Sequence, residues 1–280
     1  MNAGQAYGSL TGGKEGMAGF LLILSGMSWA LGYTGQPQLL TRMMAIRNKE
    51  EVAAAKWVAA VWTVFAYGGA LVIGFAGYVF AQNGIIPADA VARLSDVKNN
   101  GSELILPVLI NFFITPVIGG VLLCGAISAM MSTASSEIIV SSSAVTEDIY
   151  GNYSKKRMTP GAALQFNRWI TLAFGVIAFV MALTVKDSVY GLVSYAWSGI
   201  GSSFGPALIL LLYWKKFSRA GVIASLISGT AGTIVWKTYL VGPSGGISER
   251  LASFVFAFLM AVLFSYLYPE KRTGAAGTIS

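Results

Sequence analysis

The residues with the clearest chemical potential lie between positions 124 and 143, an apolar run that still carries seven serines, one threonine and one glutamic acid. On a helix, Ser132 and Thr133 follow Ala129 by three and four residues, which brings their hydroxyls near the Ala129 carbonyl on one face. Small hard cations prefer neutral and anionic oxygen ligands. The spacing therefore predicts part of a site for a cation such as sodium, formed by the Ala129 carbonyl and the Ser132 and Thr133 hydroxyls.

Glu137 is the acid that lies well inside this apolar run, four residues after Thr133 and on the same side of a helix. Acids within membranes are costly to bury, which favours a functional role such as tuning the cation site or binding a proton. The alternative is a hydrogen-bonded or protonated glutamic acid that faces another helix. For Ser141, Ser142 and Ser143 we prefer hydrogen bonds to their own helix backbone.

A second candidate site surrounds residues 32–37, with the sequence Gly-Tyr-Thr-Gly-Gln-Pro. Two glycines and a proline weaken a helix here, and such a break can line a solute pocket or merely shape packing. Trp29 and Tyr33 are spaced i, i+4 and share the face that leads to the break. They could enclose an apolar or cationic group while free amide hydrogens meet a carboxylate, although anchoring at the lipid interface is the alternative.

The composition places both candidate sites in a membrane. Hydrophobic residues make up 55% of the chain and charged residues 11%, with a mean hydropathy of +0.66, whereas soluble domains carry about 25% charged residues. We therefore predict an all-α integral membrane protein with about seven transmembrane helices, the fifth interrupted at residues 198–206. Each apolar segment meets the roughly 20 residues that a membrane-spanning helix needs, and the segments are 19–46, 57–82, 107–145, 162–185, 189–214, 221–240 and 251–268.

The positive charges are distributed asymmetrically between alternate loops. Loops on one side receive 13 of the 19 Lys and Arg residues, and loops on the other side receive six. Because cytoplasmic loops are the more basic ones, this predicts an external amino terminus and a cytoplasmic carboxyl terminus. The net charge of +7 therefore suggests contact with anionic lipid and no nucleic-acid partner.

Signatures of soluble enzymes are missing from the sequence. With no histidine and one cysteine, the chain cannot build the common Ser–His or Cys–His catalytic pairs. No glycine-rich phosphate-binding loop of the Walker type occurs, and Cys124 has no second cysteine with which to form an internal disulfide. We therefore expect a protein that is not an enzyme and has no cofactor besides a coupling ion.

Four stretches of the chain resemble the sodium/solute symporter family, and the resemblance extends from about residue 25 to about residue 268. The match at 191–206 is the most specific to the branch of the family that carries proline. These stretches are Gly-Tyr-Thr-Gly-Gln-Pro-Gln-Leu-Leu-Thr-Arg at 32–42, Met-Ser-Thr at 131–133, Ser-Ser-Ala-Val-Thr-Glu-Asp-Ile-Tyr at 142–150 and Gly-Leu-Val-Ser-Tyr-Ala-Trp-Ser-Gly-Ile-Gly-Ser-Ser-Phe-Gly-Pro at 191–206.

The resemblance implies a fold of the leucine-transporter type, in which two five-helix repeats are inverted relative to each other. The chain looks like the second repeat and two further helices, which makes it a carboxyl-terminal fragment whose first-repeat helices would be missing partners. The implied organisation is an external polar loop at 1–18, the second repeat at 19–214, two additional helices at 215–268 and a cytoplasmic tail at 269–280.

The implied function is sodium-coupled symport of L-proline, or of a similar small solute, across the inner membrane of a bacterium. The resemblance implies sodium ligands at Ala129, Ser132 and Thr133. It also implies a solute pocket that is bounded by Trp29, Tyr33 and Pro37.

Two positions depart from the proline-carrying branch. Gln38 stands where a histidine is usual, and Glu137 stands where a glutamine is usual. Gln38 leaves open whether proline is the strict substrate, and Glu137 leaves open whether the coupling ion is sodium or a proton. The alternative functions are a symporter for another small organic solute such as pantothenate, and the symporter-like membrane domain of a sensory protein.

Overall fold

The computed structural model describes residues 13–153, 158–240 and 247–270, and no strand occurs within these ranges. The main helices are joined by short turns, and two of them end in a turn of π-helix. The α-helices are α1 Gly16–Met27, α2 Trp29–Tyr33, α3 Pro37–Met44, α4 Lys49–Gln82, α5 Ala88–Leu94, α6 Ile105–Phe113, α7 Pro116–Ser143, α8 Gly151–Tyr153, α9 Pro160–Thr184, α10 Val189–Tyr213, α11 Arg219–Val235 and α12 Glu249–Leu267; the π-helical turns are Ala144–Tyr150 and Trp236–Leu240.

The predicted all-α architecture with seven transmembrane helices is confirmed. Among the described residues, seven helical stretches are long and apolar enough to cross a membrane. These stretches are Gly16–Tyr33, Lys49–Gln82, Pro116–Tyr150, Pro160–Thr184, Val189–Tyr213, Arg219–Leu240 and Glu249–Leu267. The chain is therefore a multi-pass membrane protein.

The chain divides into two compact units that are not contiguous in sequence. The first unit contains Met1–Thr41 and Tyr190–Ser280, and the second contains Arg42–Val189. Most of the predicted external loop at 1–18, most of the predicted tail at 269–280 and the basic residues 155–157 lie outside the described residues. Helix α1 begins at Gly16, three positions before the predicted start of the first apolar segment.

In the second unit, α4 begins with a well-formed cap and packs its far end against α6. The Asn48 side chain accepts a hydrogen bond from the Glu51 backbone amide at 2.9 Å, which satisfies an amide that the first helical turn leaves without a partner. Near the other end, a Cβ atom on Gly77 would lie 2.3 Å from the Ile105 side chain. Glycine therefore allows α6 to approach α4 closely at this point.

A π-helical turn continues α7 and fixes its end against α9. The Thr146 hydroxyl donates to the Ser142 carbonyl at 2.9 Å and lies 3.3 Å from the Asn167 amide oxygen of α9. The rings of Tyr150 and Phe166 pack with their centroids 5.3 Å apart. The helix that carries the predicted cation ligands is thus anchored at its carboxyl-terminal end.

The connection between α5 and α6 is held by two acidic side chains. Asp96 accepts hydrogen bonds from the Asn99 side-chain amide at 2.7 Å and from the Lys98 backbone amide at 3.1 Å. The Asn99 side-chain hydrogen bond is the main cause that lowers the pKa of Asp96 below its ordinary value. Its stabilising contribution is therefore present at neutral pH and is lost as the pH falls through this lowered pKa. Within the second unit, Glu103 also accepts a hydrogen bond from the Val189 backbone amide at 2.7 Å.

The predicted interruption of the fifth transmembrane helix at 198–206 is wrong. Helix α10 runs without a break from Val189 to Tyr213 and contains Pro206. The Ser225 hydroxyl of α11 donates to the Ser203 carbonyl at 2.8 Å, so the turn that the proline weakens gains a partner from a neighbouring helix. Gly201 of α10 serves close helix packing, because a Cβ atom there would lie 2.6 Å from Gly32 Cα.

Helices α11 and α12 pack together through small residues. A Cβ atom on Gly221 would lie 2.7 Å from the Ala261 carbonyl oxygen, and Ala257 and Ala261 are completely buried. Small side chains let two helix backbones come close, which is the usual basis of helix association in membranes. The start of α12 in this closely packed pair contacts the break between α1 and α2, since the Ser248 amide donates to the Ser25 hydroxyl.

Candidate functional site

The first transmembrane segment is interrupted at Ser28, between α1 and α2, and again at 34–36, between α2 and α3. The second interruption confirms the predicted break at 32–37. Side-chain hydrogen bonds to backbone carbonyls add to those of the backbone at these points. The Ser28 hydroxyl donates to the Ser25 carbonyl at 2.5 Å, and the buried Gln36 amide donates to the Gly32 carbonyl at 3.3 Å. The backbone therefore keeps hydrogen-bond partners on both sides of the break.

The segment with the break lies directly against the backbone of α10. A Cβ atom on Gly35 would come within 2.7 Å of the Gly205 amide nitrogen and 2.9 Å of the Gly201 carbonyl oxygen. Real Cβ atoms do not approach backbone atoms so closely, because the two electron shells would overlap. Glycine at these positions therefore sets the distance between α10 and the loosened backbone of α2 and α3.

Four aromatic side chains form a cluster on this contact, and we call Trp29, Tyr33, Tyr190 and Trp197 the aromatic cluster. The Tyr33 and Trp197 rings meet edge to face with centroids 4.8 Å apart, and Trp29 lies 5.9 Å from Trp197 and 5.8 Å from Tyr190. The Trp197 indole also donates to the Trp29 carbonyl at 3.4 Å. These rings offer apolar edges and electron-rich faces to a small solute with a cationic group.

The structure brings the predicted residues Trp29 and Tyr33 together through Trp197, which sequence reasoning did not assign to the site. Trp29 and Trp197 are half-buried, and Tyr33 is 41% exposed. Pro37 is half-buried and starts α3, immediately after the break. The one signal for Trp197 in the sequence was its position within the distinctive 191–206 stretch.

A buried ion pair lies behind the aromatic cluster, at the start of α12. Arg250 and Glu249 are 8% and 7% exposed, with Arg250 Nη1 3.7 Å from Glu249 Oε1. Two serines of α10 support the acid, since Ser194 and Ser198 donate to Glu249 Oε1 at 3.2 and 3.3 Å. The Arg250 guanidinium lies 4.5 Å from the Trp29 ring centroid, which is the geometry of a cation–π contact.

The three predicted sodium ligands lie on α7, in the second unit. The Thr133 hydroxyl is 3.3 Å from the Ala129 carbonyl oxygen and donates to it. Ala129, Ser132 and Thr133 are all exposed in the chain as described. Because the Thr133 hydroxyl uses its hydrogen in this bond, its oxygen lone pairs remain available to a cation.

Glu137 and Cys124 lie on the same helix and are both exposed. Glu137 follows Thr133 by one helical turn, as expected from the spacing. Within the described part of the chain, His, Cys, Asp and Glu side chains form no group of three or more that could hold a metal ion.

A family model and several curated proteins that match this chain all indicate the same family of transporters. The family model described as "Sodium:solute symporter family" matches residues 6–229. The chain is 35% identical over 250 residues to the sodium/proline symporter of Salmonella typhimurium, which covers 89% of this chain and 47% of that protein. It is 31% identical to the osmoregulated proline transporter OpuE of Bacillus subtilis over 260 residues, with 92% of this chain and 50% of OpuE covered. No solved structure gives a significant match.

A third relative is the high-affinity proline transporter PutP of Bacillus subtilis, 33% identical over 254 residues, which are 90% of this chain and 50% of PutP. The chain spans about half the length of the curated relatives it matches. The family match covers most of the chain, including the broken first segment, the serine-rich helix α7 and the aromatic cluster. The chain belongs to the sodium:solute symporter family.

Proposed function

We propose that this protein takes part in sodium-coupled symport of L-proline across the inner membrane of a bacterium, with its amino-terminal end outside and its carboxyl-terminal end in the cytoplasm. The observation that carries the proposal is the match to relatives named as proline transporters, at 31 to 35% identity over about 90% of the chain. The distribution of Lys and Arg supports the orientation.

The solute pocket in this proposal lies at the aromatic cluster and is bounded by Trp29, Tyr33 and Pro37. A proline zwitterion combines an apolar ring with an ammonium and a carboxylate group. The ring and the ammonium group suit aromatic edges and faces, whereas the amides of Gly35 and Gln36 at the break already donate to the Gly32 and Tyr33 carbonyls. The Tyr33 and Trp197 rings, in contact with centroids 4.8 Å apart, form one side of the proposed pocket.

Sodium in this proposal binds to the Ala129 carbonyl and the Ser132 and Thr133 hydroxyls of α7, with Glu137 tuning the site. Such a set supplies neutral oxygens, so a bound sodium ion keeps its charge and can be released again on the other side. Sodium drives solute uptake if it binds more tightly to the conformation that also accepts the solute. No covalent step is involved, since the sodium gradient supplies the work.

The proposal is tested by uptake of radiolabelled L-proline in a bacterium that lacks its own proline carriers and expresses the complete gene for this protein. We expect uptake that requires sodium, survives a protonophore when a sodium gradient is imposed and is not reduced by unlabelled pantothenate. Uptake that follows the proton gradient would reassign the coupling ion, in line with Glu137. Competition by pantothenate, without competition by proline, would overturn the proposed substrate.

Replacing Trp29 by alanine is expected to raise the proline concentration for half-maximal uptake by roughly tenfold, because about 1.4 kcal/mol of aromatic contact corresponds to one factor of ten. The measurement is the concentration dependence of initial uptake rates at saturating sodium. Trp214→Ala is the matched control, since Trp214 contacts Phe217 and Tyr266 rather than the aromatic cluster. Equal half-saturating concentrations in the two variants would instead support a lipid-anchoring role for Trp29.

A further inference from the structure

We propose that Arg250 is a positioning residue that holds the Trp29 indole in place, and that Glu249 keeps Arg250 in its orientation. This inference rests on the proposed function, because Trp29 contributes to transport only if it bounds the solute pocket. It adds two residues from the start of α12, a helix to which neither the sequence pattern nor the family resemblance assigned a role in the site.

The guanidinium of Arg250 contacts both the side chain and the backbone neighbour of Trp29. Its central carbon lies 4.5 Å from the Trp29 ring centroid, and its Nε donates to the Ser28 hydroxyl at 3.4 Å. Ser28 occupies the break between α1 and α2, immediately before Trp29. One planar group therefore fixes the point where α2 starts and the orientation of the first aromatic ring that α2 carries.

A second contact ties the start of α12 to the same break. The Ser248 backbone amide donates to the Ser25 hydroxyl at 3.1 Å, and the Ser28 and Ser248 hydroxyls lie 3.2 Å apart. Ser248 also caps α12, since its hydroxyl accepts a hydrogen bond from the Leu251 amide at 3.5 Å. The first turn of α12, from which Arg250 projects, thus has a defined position relative to Trp29.

Glu249 supplies the charge that allows a guanidinium to stay buried here. A buried cation without a counter-charge is strongly unfavourable, and Glu249 Oε1 lies 3.7 Å from Arg250 Nη1. Ser194 bridges the pair, because it accepts a hydrogen bond from Arg250 and donates one to Glu249. The arginine is thus held from two sides, by Trp29 and Ser28 and by Glu249 and Ser194.

Stability alone gives little reason for such a pair. Well-packed apolar residues of similar volume are often as stable as a buried ion pair, since both charges must first lose their water. An apolar side chain would, however, lack the flat cationic face that orients an indole and the donor that reaches Ser28. The geometry at Trp29 therefore points to orientation of the aromatic cluster as the contribution of Arg250.

The test compares Arg250→Lys with the double variant Glu249→Gln/Arg250→Met. The lysine variant keeps the charge opposite Glu249 but loses the planar fork, and the double variant removes both charges and avoids an unpaired buried acid. We expect both to reach the membrane at normal levels, with the half-saturating proline concentration raised about tenfold and the sodium dependence unchanged. A purely structural role predicts that the double variant, once folded, transports like the unsubstituted protein, and that result would overturn the proposal.

A second readout does not depend on transport. In protein labelled with 5-fluorotryptophan, the ¹⁹F resonance of Trp29 is identified by its loss in Trp29→Phe. We expect this resonance to shift in both Arg250 variants, while that of Trp214 stays in place. An unmoved Trp29 resonance overturns the positioning role, even if proline uptake changes. If the unsubstituted protein showed no sodium-dependent proline uptake, the proposed function would be refuted. The ¹⁹F resonance of Trp29 would then still test whether Arg250 positions the indole.

Discussion

Replacing Thr133 by alanine is expected to raise the sodium concentration for half-maximal proline uptake by about tenfold or more. The substitution removes one of three proposed oxygen ligands, and a loss of about 1.4 kcal/mol in ion binding already corresponds to a factor of ten. The Thr133 hydroxyl lies 3.3 Å from the Ala129 carbonyl, so the same change also alters the second ligand. The measurement is a sodium titration of initial uptake rates at a fixed proline concentration.

Ser142→Ala is the matched control for Thr133→Ala. Ser142 lies on the same helix, is fully buried, and donates its hydroxyl hydrogen to the Ile139 carbonyl of its own helix. Ser142→Ala removes this side-chain hydrogen bond to the backbone and leaves the proposed sodium ligands unchanged. The sodium titration should therefore stay close to that of the unsubstituted protein. Equal titration curves for both variants would place the ion elsewhere.

Gly201→Ala is expected to abolish folded, transport-competent protein. A Cβ atom at this position would lie 2.6 Å from Gly32 Cα and 3.0 Å from the Gly32 carbonyl oxygen. These are backbone atoms of the broken segment, so no side-chain rotation can relieve the overlap and α10 would have to move away. The measurement is the amount of monodisperse protein after detergent extraction, together with proline uptake in cells.

Gly199→Ala provides the control two residues earlier on the same helix. A Cβ atom there meets no other atom within 4 Å, and alanine is favoured over glycine in a helix by roughly 0.5–1 kcal/mol. We therefore expect normal or slightly increased thermal stability and unchanged uptake. Normal yield and uptake for Gly201→Ala as well would show that α10 does not lie against Gly32 in the membrane.

The transmembrane segments could be predicted because their boundaries follow from local composition. Long apolar runs bounded by polar loops gave seven spans, and the pair of glycines with Pro37 correctly indicated a broken first segment. The same residue types at 198–206 gave a wrong prediction for α10. Helix α10 stays continuous because residues from elsewhere in the chain contact it. Gly201 packs on Gly32, and Ser225 supports the turn before Pro206.

In the candidate site, too, contacts within one helix could be predicted from the sequence, and contacts between distant residues could not. Trp29 and Tyr33 could be paired from their i, i+4 spacing, because that relation is a property of one helix. Trp197 is 168 residues from Trp29, and Arg250 is 222 residues from Ser28. Contacts over such separations depend on how helices pack, and a single sequence carries no direct signal for them. The predicted ligands on α7 remain a prediction that the sodium titrations will decide.

Cys124 has a practical consequence for spectroscopy. It is the single cysteine of the sequence, it is exposed, and it precedes Thr133 by nine residues on α7. With a rise of 1.5 Å per residue, a maleimide spin label or fluorophore would be attached about 14 Å along the helix axis from that threonine. Within the 280 residues given, Cys124 therefore offers a single attachment point for a probe without any engineered thiol.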